Sequence, residues 1–114
     1  MNENLALNLI AALEIKREDE QKFKELSNLI FPPLARETGW TLTSLWVTPE
    51  ENSSSLKVQN QWQTNSESTA VVESELNRAM EKLIQTLPNY QQNLEMLDTL
   101  IDQESICYAT SYTV

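Results

Sequence analysis

The absence of histidine limits the chemistry of this 114-residue chain more than any other feature. Ser-His-Asp and Cys-His nucleophiles, histidine-bound zinc and a proximal haem histidine are all excluded. Carboxylate, tyrosine, lysine and arginine side chains remain for acid–base chemistry, and Cys107 is the only thiol. Since no histidine or local basic cluster would favour its thiolate, we expect Cys107 to be a small buried hydrophobic residue rather than a nucleophile.

Two acidic runs are the other candidates for a site, Glu18-Asp19-Glu20 and Glu50-Glu51. Neither has the ligand spacing of a calcium-binding loop. The first run falls in the first turn of a predicted helix, where the helix dipole favours negative charge. We therefore expect solvated charge at both places, with no metal site and no cofactor.

Composition restricts the class of protein and its partners. A chain of 114 residues with 40% hydrophobic content predicts a single domain spanning residues 1–114. The formal net charge of −9 would repel phosphate backbones and anionic lipid, so we expect neither nucleic acid nor membrane as a partner.

Three features of the sequence predict that the protein is cytoplasmic. The apolar run from Leu5 to Leu13 is shorter than the roughly 20 residues that span a bilayer. It also lacks the basic leader and cleavage site of a signal peptide. A lone cysteine, which excludes an internal disulfide, is typical of a reducing compartment.

A hairpin from Gly39 to Thr64 is predicted to organise the fold. In its second arm, strand periodicity places four residues on one face and Lys57 and the three glutamines on the other. The four are Leu56, Val58, Asn60 and Trp62. In the first arm the same periodicity groups Trp40, Leu42 and Trp46 on one face, opposite Leu45 and Val47.

The flanking segments predict two more strands and three helices. Residues 5–16 are apolar at every odd position, which indicates a central strand, although their leucines and alanines would also suit the start of a helix. Three helical stripes follow, Phe23/Leu26/Ile30/Leu34, Val72/Leu76/Leu83/Leu87 and Tyr90/Leu94/Leu97/Ile101. We expect a kink or restart at Pro32-Pro33, a stop at Gly39 and a capping box from Thr64 to Glu67. Residues 105–114 are rich in β-branched and aromatic side chains, which predicts the last strand.

This order predicts an α+β, ferredoxin-like βαββαβ domain with an extra C-terminal helical segment. Its four strands form an antiparallel sheet with the helices on one face. Because the first two strands are apolar on both faces, the opposite sheet face also needs a cover. A second copy of the chain is the simplest cover, so we expect a homodimer that closes two sheets into an α/β barrel.

Several short motifs resemble the dimeric α/β-barrel superfamily over residues 9–108. They are Phe31-Pro32-Pro33-Leu34, Thr38-Gly39-Trp40 leading to Leu45-Trp46, Asn60-Gln61-Trp62, and Pro88-Asn89-Tyr90-Gln91 through Gln103-Glu104. In this order they resemble NIPSNAP proteins and, less closely, antibiotic-biosynthesis-type monooxygenase domains. The resemblance implies that Trp62 matches a tryptophan lining the barrel cavity in the monooxygenase branch.

The first strand departs from these relatives. It carries Ala11 and Leu13 where NIPSNAP-like strands carry arginine and tyrosine, and where haem-degrading relatives carry asparagine. The histidine that haem degradation needs is also missing. We therefore expect an apolar inter-sheet cavity whose ligand-binding residues are Ala11, Leu13, Trp46 and Trp62, with Tyr108 beside them.

The face on which Trp62 lies has two interpretations. The hydrophobic pattern places the Leu56–Trp62 face beneath the helices, where Trp62 would anchor the core. The resemblance places it in the dimer cavity. Asn60 favours the cavity, because an amide beneath helices would need a buried partner.

Two classes of function fit these residues. The first is a non-catalytic homodimer that binds a small apolar or aromatic ligand, or a protein partner, and the lack of an obvious base favours it. The alternative is an enzyme similar to cofactor-independent monooxygenases, acting on an aromatic or quinol-type substrate. In that enzyme Glu14 is the candidate base, and Asn60 and Tyr108 are the candidate oxyanion donors. The sequence leaves open whether the protein is an enzyme.

Overall fold

The computed structural model describes residues 6–49 and 54–112, and the side chains at positions 46, 49, 111 and 112 lie outside that description. The acidic run Glu50-Glu51 also lies outside it. The elements in chain order are β1 (Leu7–Lys16), a 3₁₀ turn (Arg17–Asp19), α1 (Glu20–Thr38), β2 (Thr41–Pro49), β3 (Ser55–Gln63), α2 (Thr69–Thr86), α3 (Tyr90–Leu100), a second 3₁₀ turn (Gln103–Ser105) and β4 (Cys107–Tyr112). The predicted ferredoxin-like βαββαβ order with an extra helix is confirmed.

The four strands form one antiparallel sheet in the order β2-β3-β1-β4. The strand predicted to be central, β1, lies between β3 and β4. A strand with neighbours on both sides hydrogen-bonds along both edges, which suits its nearly continuous apolar sequence. The outer strands β2 and β4 leave two sheet edges, and two of the three openings described below lie at these edges.

The two faces of the sheet differ in their surroundings. We call the helix-side face the covered face, and its buried side chains are Leu7, Ile15, Leu56, Val58, Asn60 and Trp62. The stripe of α1 packs on it through Phe23, Leu26, Ile30 and Leu34. The opposite, open face carries half-exposed Ile10, Ala12, Gln59 and Gln61 beside exposed Ala109 and Cys107. The prediction that Cys107 is buried is therefore wrong for the single chain, because β4 places it on the open face.

A β-bulge in β2 changes which of its residues share a face. Leu42 pairs with Trp62 but Ser44 pairs with Gln61, so Thr43 is an extra residue, and its hydroxyl donates to the Gln61 carbonyl. After the bulge, Leu45 pairs with Asn60. The predicted separation of Leu42 from Leu45 is therefore wrong, since an inserted residue reverses the alternation beyond it.

The helix α1 continues through Pro32 and Pro33 to Thr38, so the predicted restart does not occur. The buried residues Ile30 and Leu34 on either side of the prolines hold this stretch against the sheet, which offsets the loss of two backbone donors. The predicted stop at Gly39 is confirmed. Gly39 is left-handed with φ of 75°, and its amide donates to the Ala35 carbonyl at 2.9 Å.

The predicted capping box at Thr64 does not form. The helix α2 begins at Thr69 after Ser68, which makes no side-chain cap bond. The buried Thr64 hydroxyl instead donates to the Leu7 carbonyl at 2.8 Å, and the Leu7 amide donates to the Ser66 carbonyl. These bonds join the end of β3 to the start of β1, so Thr64 serves the sheet rather than the helix.

A buried tyrosine joins α3 to α1. Tyr90, at the start of α3, donates its hydroxyl to the Ile30 carbonyl at 2.9 Å. Loss of solvation raises the pKa of the Tyr90 hydroxyl to about 12, because the phenolate is disfavoured in a buried site.

Among the residues described, no helix combines the length and apolar character needed to cross a membrane.

Candidate functional site

Three of the predicted site residues meet in one row across the covered face. The register pairs Ala11 of β1 with Asn60 of β3 on one side and with Tyr108 of β4 on the other. Directly opposed residues in antiparallel strands have Cβ atoms about 5 Å apart. The structure therefore places Asn60, Ala11 and Tyr108 side by side, with Leu45 of β2 completing the row.

Trp62 is a core residue beneath α1, with 4% of its surface exposed. Its ring packs edge-on against Phe31 at 5.6 Å between centroids and against Trp40 at 6.5 Å. The hydrophobic pattern thus predicted the correct face, and placing Trp62 in an inter-sheet cavity was wrong. Aromatic edge-to-face packing of this kind contributes to stability beyond the area it buries.

The buried amide of Asn60 has the partner that its position requires. The Trp62 indole Nε1 donates to Asn60 Oδ1 at 2.8 Å, within the same strand. Residues two apart in a strand lie on the same face, so Trp62 can donate to Asn60. The buried partner that Asn60 needs beneath the helices is therefore supplied by its own strand. With its oxygen engaged by Trp62, the amide is held in one orientation and Nδ2 is its remaining donor group.

Glu14 does not join the other predicted catalytic residues. It pairs with Lys57 in the β1–β3 ladder, one residue out of phase with Ala11 and Leu13, and so lies on the open face. Its backbone is fixed by the C-terminal connection, since its amide donates to Ser105 Oγ and its carbonyl accepts from the Asp102 amide. The sheet itself separates Glu14 from Asn60 and Tyr108.

The predicted inter-sheet cavity corresponds to a depression on the open face. It has a volume of about 440 Å³ and is lined by Ile10, Ala12, Leu13, Glu14, Lys57, Gln59, Ser105, Cys107 and Ala109. Of the four residues predicted to bind a ligand, Ala11, Leu13 and Trp62 lie on the covered face, and of these Leu13 also borders the depression. The side chain of Trp46 is outside the described structure. Charged and amide groups make this depression more polar than predicted.

A second opening lies between α2 and the β4 edge of the sheet, and we call it the crevice. Its volume is about 420 Å³. Its lining consists of Leu9, Thr69, Val72, Glu73, Leu76, Asn77, Tyr108, Ala109 and Thr110. Val72 is buried, Leu9 and Leu76 pack against the core, and Tyr108 is 64% exposed at the mouth.

Of the residues that line the crevice, Tyr108 alone was predicted from the sequence to belong to a site. Val72 and Leu76 were identified only as members of a helical stripe. Nothing in the stripe shows that its first turns extend over the outermost strand, where covering side chains are fewer. The candidate pocket is therefore formed partly by residues that the periodicity assigned to the core.

The crevice offers apolar contact with few reactive groups. Among its described lining residues, Glu73 supplies a carboxyl group and Tyr108 a phenol hydroxyl, and Thr69 and Asn77 supply neutral hydrogen-bonding groups. Within residues 6–49 and 54–112, no cluster of three or more histidine, cysteine, aspartate or glutamate side chains is arranged to hold a metal ion.

The sheet order and the position of the helices define a ferredoxin-like fold of the type found in NIPSNAP proteins. A NIPSNAP family protein from Agrobacterium tumefaciens superposes with a TM-score of 0.67 at 17% identity, over 95% of this chain and 85% of its own. A second from the same organism, of unknown function, gives 0.69 at 10% identity over 100% and 92%. The resemblance to NIPSNAP proteins is thus confirmed at the level of the fold.

The monooxygenase-type fold is a further structural neighbour. A protein from Nitrosomonas europaea, provisionally assigned as an antibiotic biosynthesis monooxygenase, superposes with a TM-score of 0.56 at 10% identity, covering 100% of this chain and 95% of its own. No family model and no curated protein matches the sequence. These similarities establish the fold, and function has to be inferred from the site.

Proposed function

We propose that this protein is a homodimer that binds a small apolar or aromatic molecule in the crevice between α2 and β4. The observation that carries the proposal is the crevice itself. Its volume of about 420 Å³ falls within the range of roughly 300–1,000 Å³ that is usual for small-molecule pockets. The crevice takes the place of the inter-sheet cavity as the ligand site.

The lining of the crevice supports an apolar ligand. Leu9 from the sheet and Val72 and Leu76 from α2 supply apolar surface on both sides. Burying a ligand against such side chains yields about 25 cal/mol per Å² of apolar area removed from water. The open-face depression, with Glu14 and Lys57 in its wall, gives an apolar molecule less contact of this kind.

Polar groups at the crevice favour an aromatic or hydroxylated ligand over a plain hydrocarbon. Tyr108 presents a ring and a hydroxyl at the mouth, and Asn77 and Glu73 lie on the α2 side. A few polar groups around an apolar pocket fix the orientation of a ligand more than they add affinity. Tyr108 is accordingly the residue we assign to ligand orientation.

The open face supports the dimer part of the proposal. Ile10 and Ala12 of β1 are half-exposed there, and Ala109 and Cys107 of β4 are exposed beside them. A second copy would cover this apolar centre while the flanking glutamines bond across the contact, and a two-fold contact uses the same patch twice. The lone cysteine supports placing this homodimer in the cytoplasm.

Binding is favoured over catalysis because the proposed catalytic residues do not assemble. Glu14 lies on the open face, whereas Asn60 and Tyr108 lie on the covered face. A general base must come within hydrogen-bonding reach of the proton that it removes. Oxygen uptake with anthrone-like or quinol substrates, lost in Asn60→Ala at unchanged stability, would overturn the choice of binding over catalysis.

An NMR titration tests the ligand site. Protein with ¹³C-labelled methyl groups is titrated with indole, and we expect saturable shifts at Leu9, Val72 and Leu76. Leu76→Trp, which fills the crevice, should abolish them. Ile84→Trp is the matched control, because Ile84 lies on the same helix outside the crevice lining. Shifts that persist in Leu76→Trp, or that centre on the open face, would contradict the proposed site.

Sedimentation equilibrium tests the dimer. We expect a mass near twice the 13.1 kDa of the chain at micromolar concentration. A single folded 13.1 kDa species would contradict the dimer without affecting the ligand site, whose lining comes from a single chain.

A further inference from the structure

The layer between the helices and the sheet also opens at its other edge, between α1 and β2. This groove has a volume of about 360 Å³ and includes Ser27, Phe31, Pro32, Trp40, Leu42 and Leu45 in its lining. It shares no lining residue with the crevice. Leu45, at 41% exposure, makes its solvent-facing wall strongly apolar.

One polar atom in the groove lacks the partner that burial normally demands. Ser27 is 4% exposed, and within the described structure its hydroxyl oxygen is buried with no hydrogen-bond partner. Buried polar side-chain atoms are nearly always satisfied, so each exception in a structure needs an explanation such as a missing ligand or water. A serine in a helix usually has the carbonyl four residues earlier within reach as a hydrogen-bond acceptor. The lack of any partner for the Ser27 hydroxyl is therefore unusual.

A second hydrogen-bonding group arises from the proline pair. Pro32 has no backbone N–H, so the Asn28 carbonyl lacks the donor that an ordinary residue would supply. Asn28 also belongs to the groove lining. The wall formed by α1 therefore combines apolar surface with an unpartnered hydroxyl and with a carbonyl that lacks its usual helical donor four residues on.

We propose that the α1–β2 groove is a second ligand site, which binds a small phenol or aromatic alcohol. The ring lies against Phe31 and Leu42, and the ligand hydroxyl hydrogen-bonds with Ser27. A hydroxyl suits this position because it both donates and accepts, and the serine hydroxyl does the same. An aromatic ring suits the remainder because Phe31 and Trp40 offer ring faces and edges for packing.

The alternative, that the groove is an apolar packing defect, makes a different prediction. A purely apolar void would favour toluene, because burying the p-cresol hydroxyl without a hydrogen-bond partner costs desolvation free energy. A site organised around Ser27 prefers p-cresol. The two probes differ only in that group, so the change in their affinity ratio on Ser27→Ala measures the role of the serine.

The experiment compares p-cresol and toluene by ¹³C-methyl NMR on the full chain. In the unaltered protein we expect both probes to shift Leu42 and Leu45, with p-cresol bound about tenfold more tightly, a ratio equivalent to one hydrogen bond of about 1.4 kcal/mol. Ser27→Ala should remove that preference and leave toluene within about twofold of its original affinity. Ser74→Ala, an exposed serine-to-alanine change on α2, should leave both affinities unchanged.

Three results would overturn the proposal. Equal affinity or a preference for toluene, unchanged in Ser27→Ala, would show that the ligand hydroxyl makes no contact with Ser27. A preference for p-cresol that persists in Ser27→Ala would assign the hydroxyl contact to another group. Shifts confined to Leu9, Val72 and Leu76 would place the phenol in the crevice, which would leave the proposed function intact while removing the second site.

Discussion

The two faces of the sheet are built from alternate residues of the same strands, yet they differ in burial and in composition. In β3, Val58 and Trp62 are buried beneath α1, whereas their neighbours Gln59 and Gln61 lie half-exposed on the open face. In β1 the contrast is weaker, because Ile10 and Ala12 on the open face are apolar as well. The covered face therefore forms the core, and the open face is the surface that we propose for the dimer.

The largest expected effect comes from truncating the covered face. Trp62→Ala removes a ring that contacts Phe31 and Trp40 and leaves the buried Asn60 oxygen without its donor. We expect a loss of about 3–5 kcal/mol in the free energy of unfolding, measured by urea denaturation. Gln61→Ala, one residue away on the open face, should cost less than about 0.5 kcal/mol. Similar losses from both variants would remove the distinction between the faces.

The second-largest expected effect is on the association of the proposed dimer rather than on folding. Ile10→Arg places a charge at the centre of the open face, where a two-fold contact would meet it in both copies. We expect the dimer dissociation constant to rise at least about a hundredfold, while the stability of the monomer changes by less than about 0.5 kcal/mol. Sedimentation velocity and denaturation measure the two quantities separately. A dimer unaffected by Ile10→Arg would show that association uses another surface.

The pH dependence of the free energy of unfolding tests the burial of Tyr90 on the helix side of the sheet. Because the folded-state pKa of about 12 lies above the ordinary value of 10.0, the folded chain keeps its proton where the unfolded chain loses it. The contribution of Tyr90 is fully present below pH 10 and declines between pH 10 and 12, by roughly 2 kcal/mol in total. Tyr90→Phe should flatten this decline in denaturation curves recorded across that range.

A matched variant separates the titration of Tyr90 from general weakening of the fold. Leu83→Ala removes a buried contact of α2 while retaining the tyrosine. It should lower stability at every pH and keep the decline between pH 10 and 12. A slope that survives in Tyr90→Phe would mean that other groups produce it.

The smallest expected effect is a gain in stability. Ser27→Ala removes a buried hydroxyl that has no partner in the ligand-free chain and replaces serine with a better helix former. We expect the free energy of unfolding to rise by about 1 kcal/mol. Ser74→Ala, which changes the helix propensity alone, should give at most about half that gain. A clear loss of stability in Ser27→Ala would indicate that the hydroxyl is already bonded in the free protein.

Periodicity was sufficient to predict the order of strands and helices and the buried face of β3. Alternation within one strand fixes which of its residues share a face, so Val58 and Trp62 were correctly grouped. The same alternation places Glu14 on the face opposite Ala11 and Leu13, so grouping Glu14 with the cavity residues went against the pattern of its own strand. Alternation does not fix how neighbouring strands are aligned, and the register adds that Asn60 pairs with Ala11. The bulge at Thr43 was equally invisible, since one inserted residue leaves no mark on the local composition.

The sites depend even more on tertiary arrangement. The crevice and the groove form where helices meet the outermost strands, so their residues come from distant parts of the sequence. Tyr108 and Leu76 are 32 positions apart in the chain and become neighbours only because β4 returns to pair with β1. Composition could exclude histidine chemistry, but it could not show where the apolar layer would remain open.

The extra residue at Thr43 has a consequence for how the molecule behaves in a crowded solution. β2 is an edge strand, and a regular edge is a template on which further chains can add strand by strand. The bulge puts the outward-pointing amides and carbonyls of β2 out of step, so an incoming strand cannot pair along its full length. The bulge therefore limits strand addition along the β2 edge, and so the growth of fibrils, without altering the open face of the sheet.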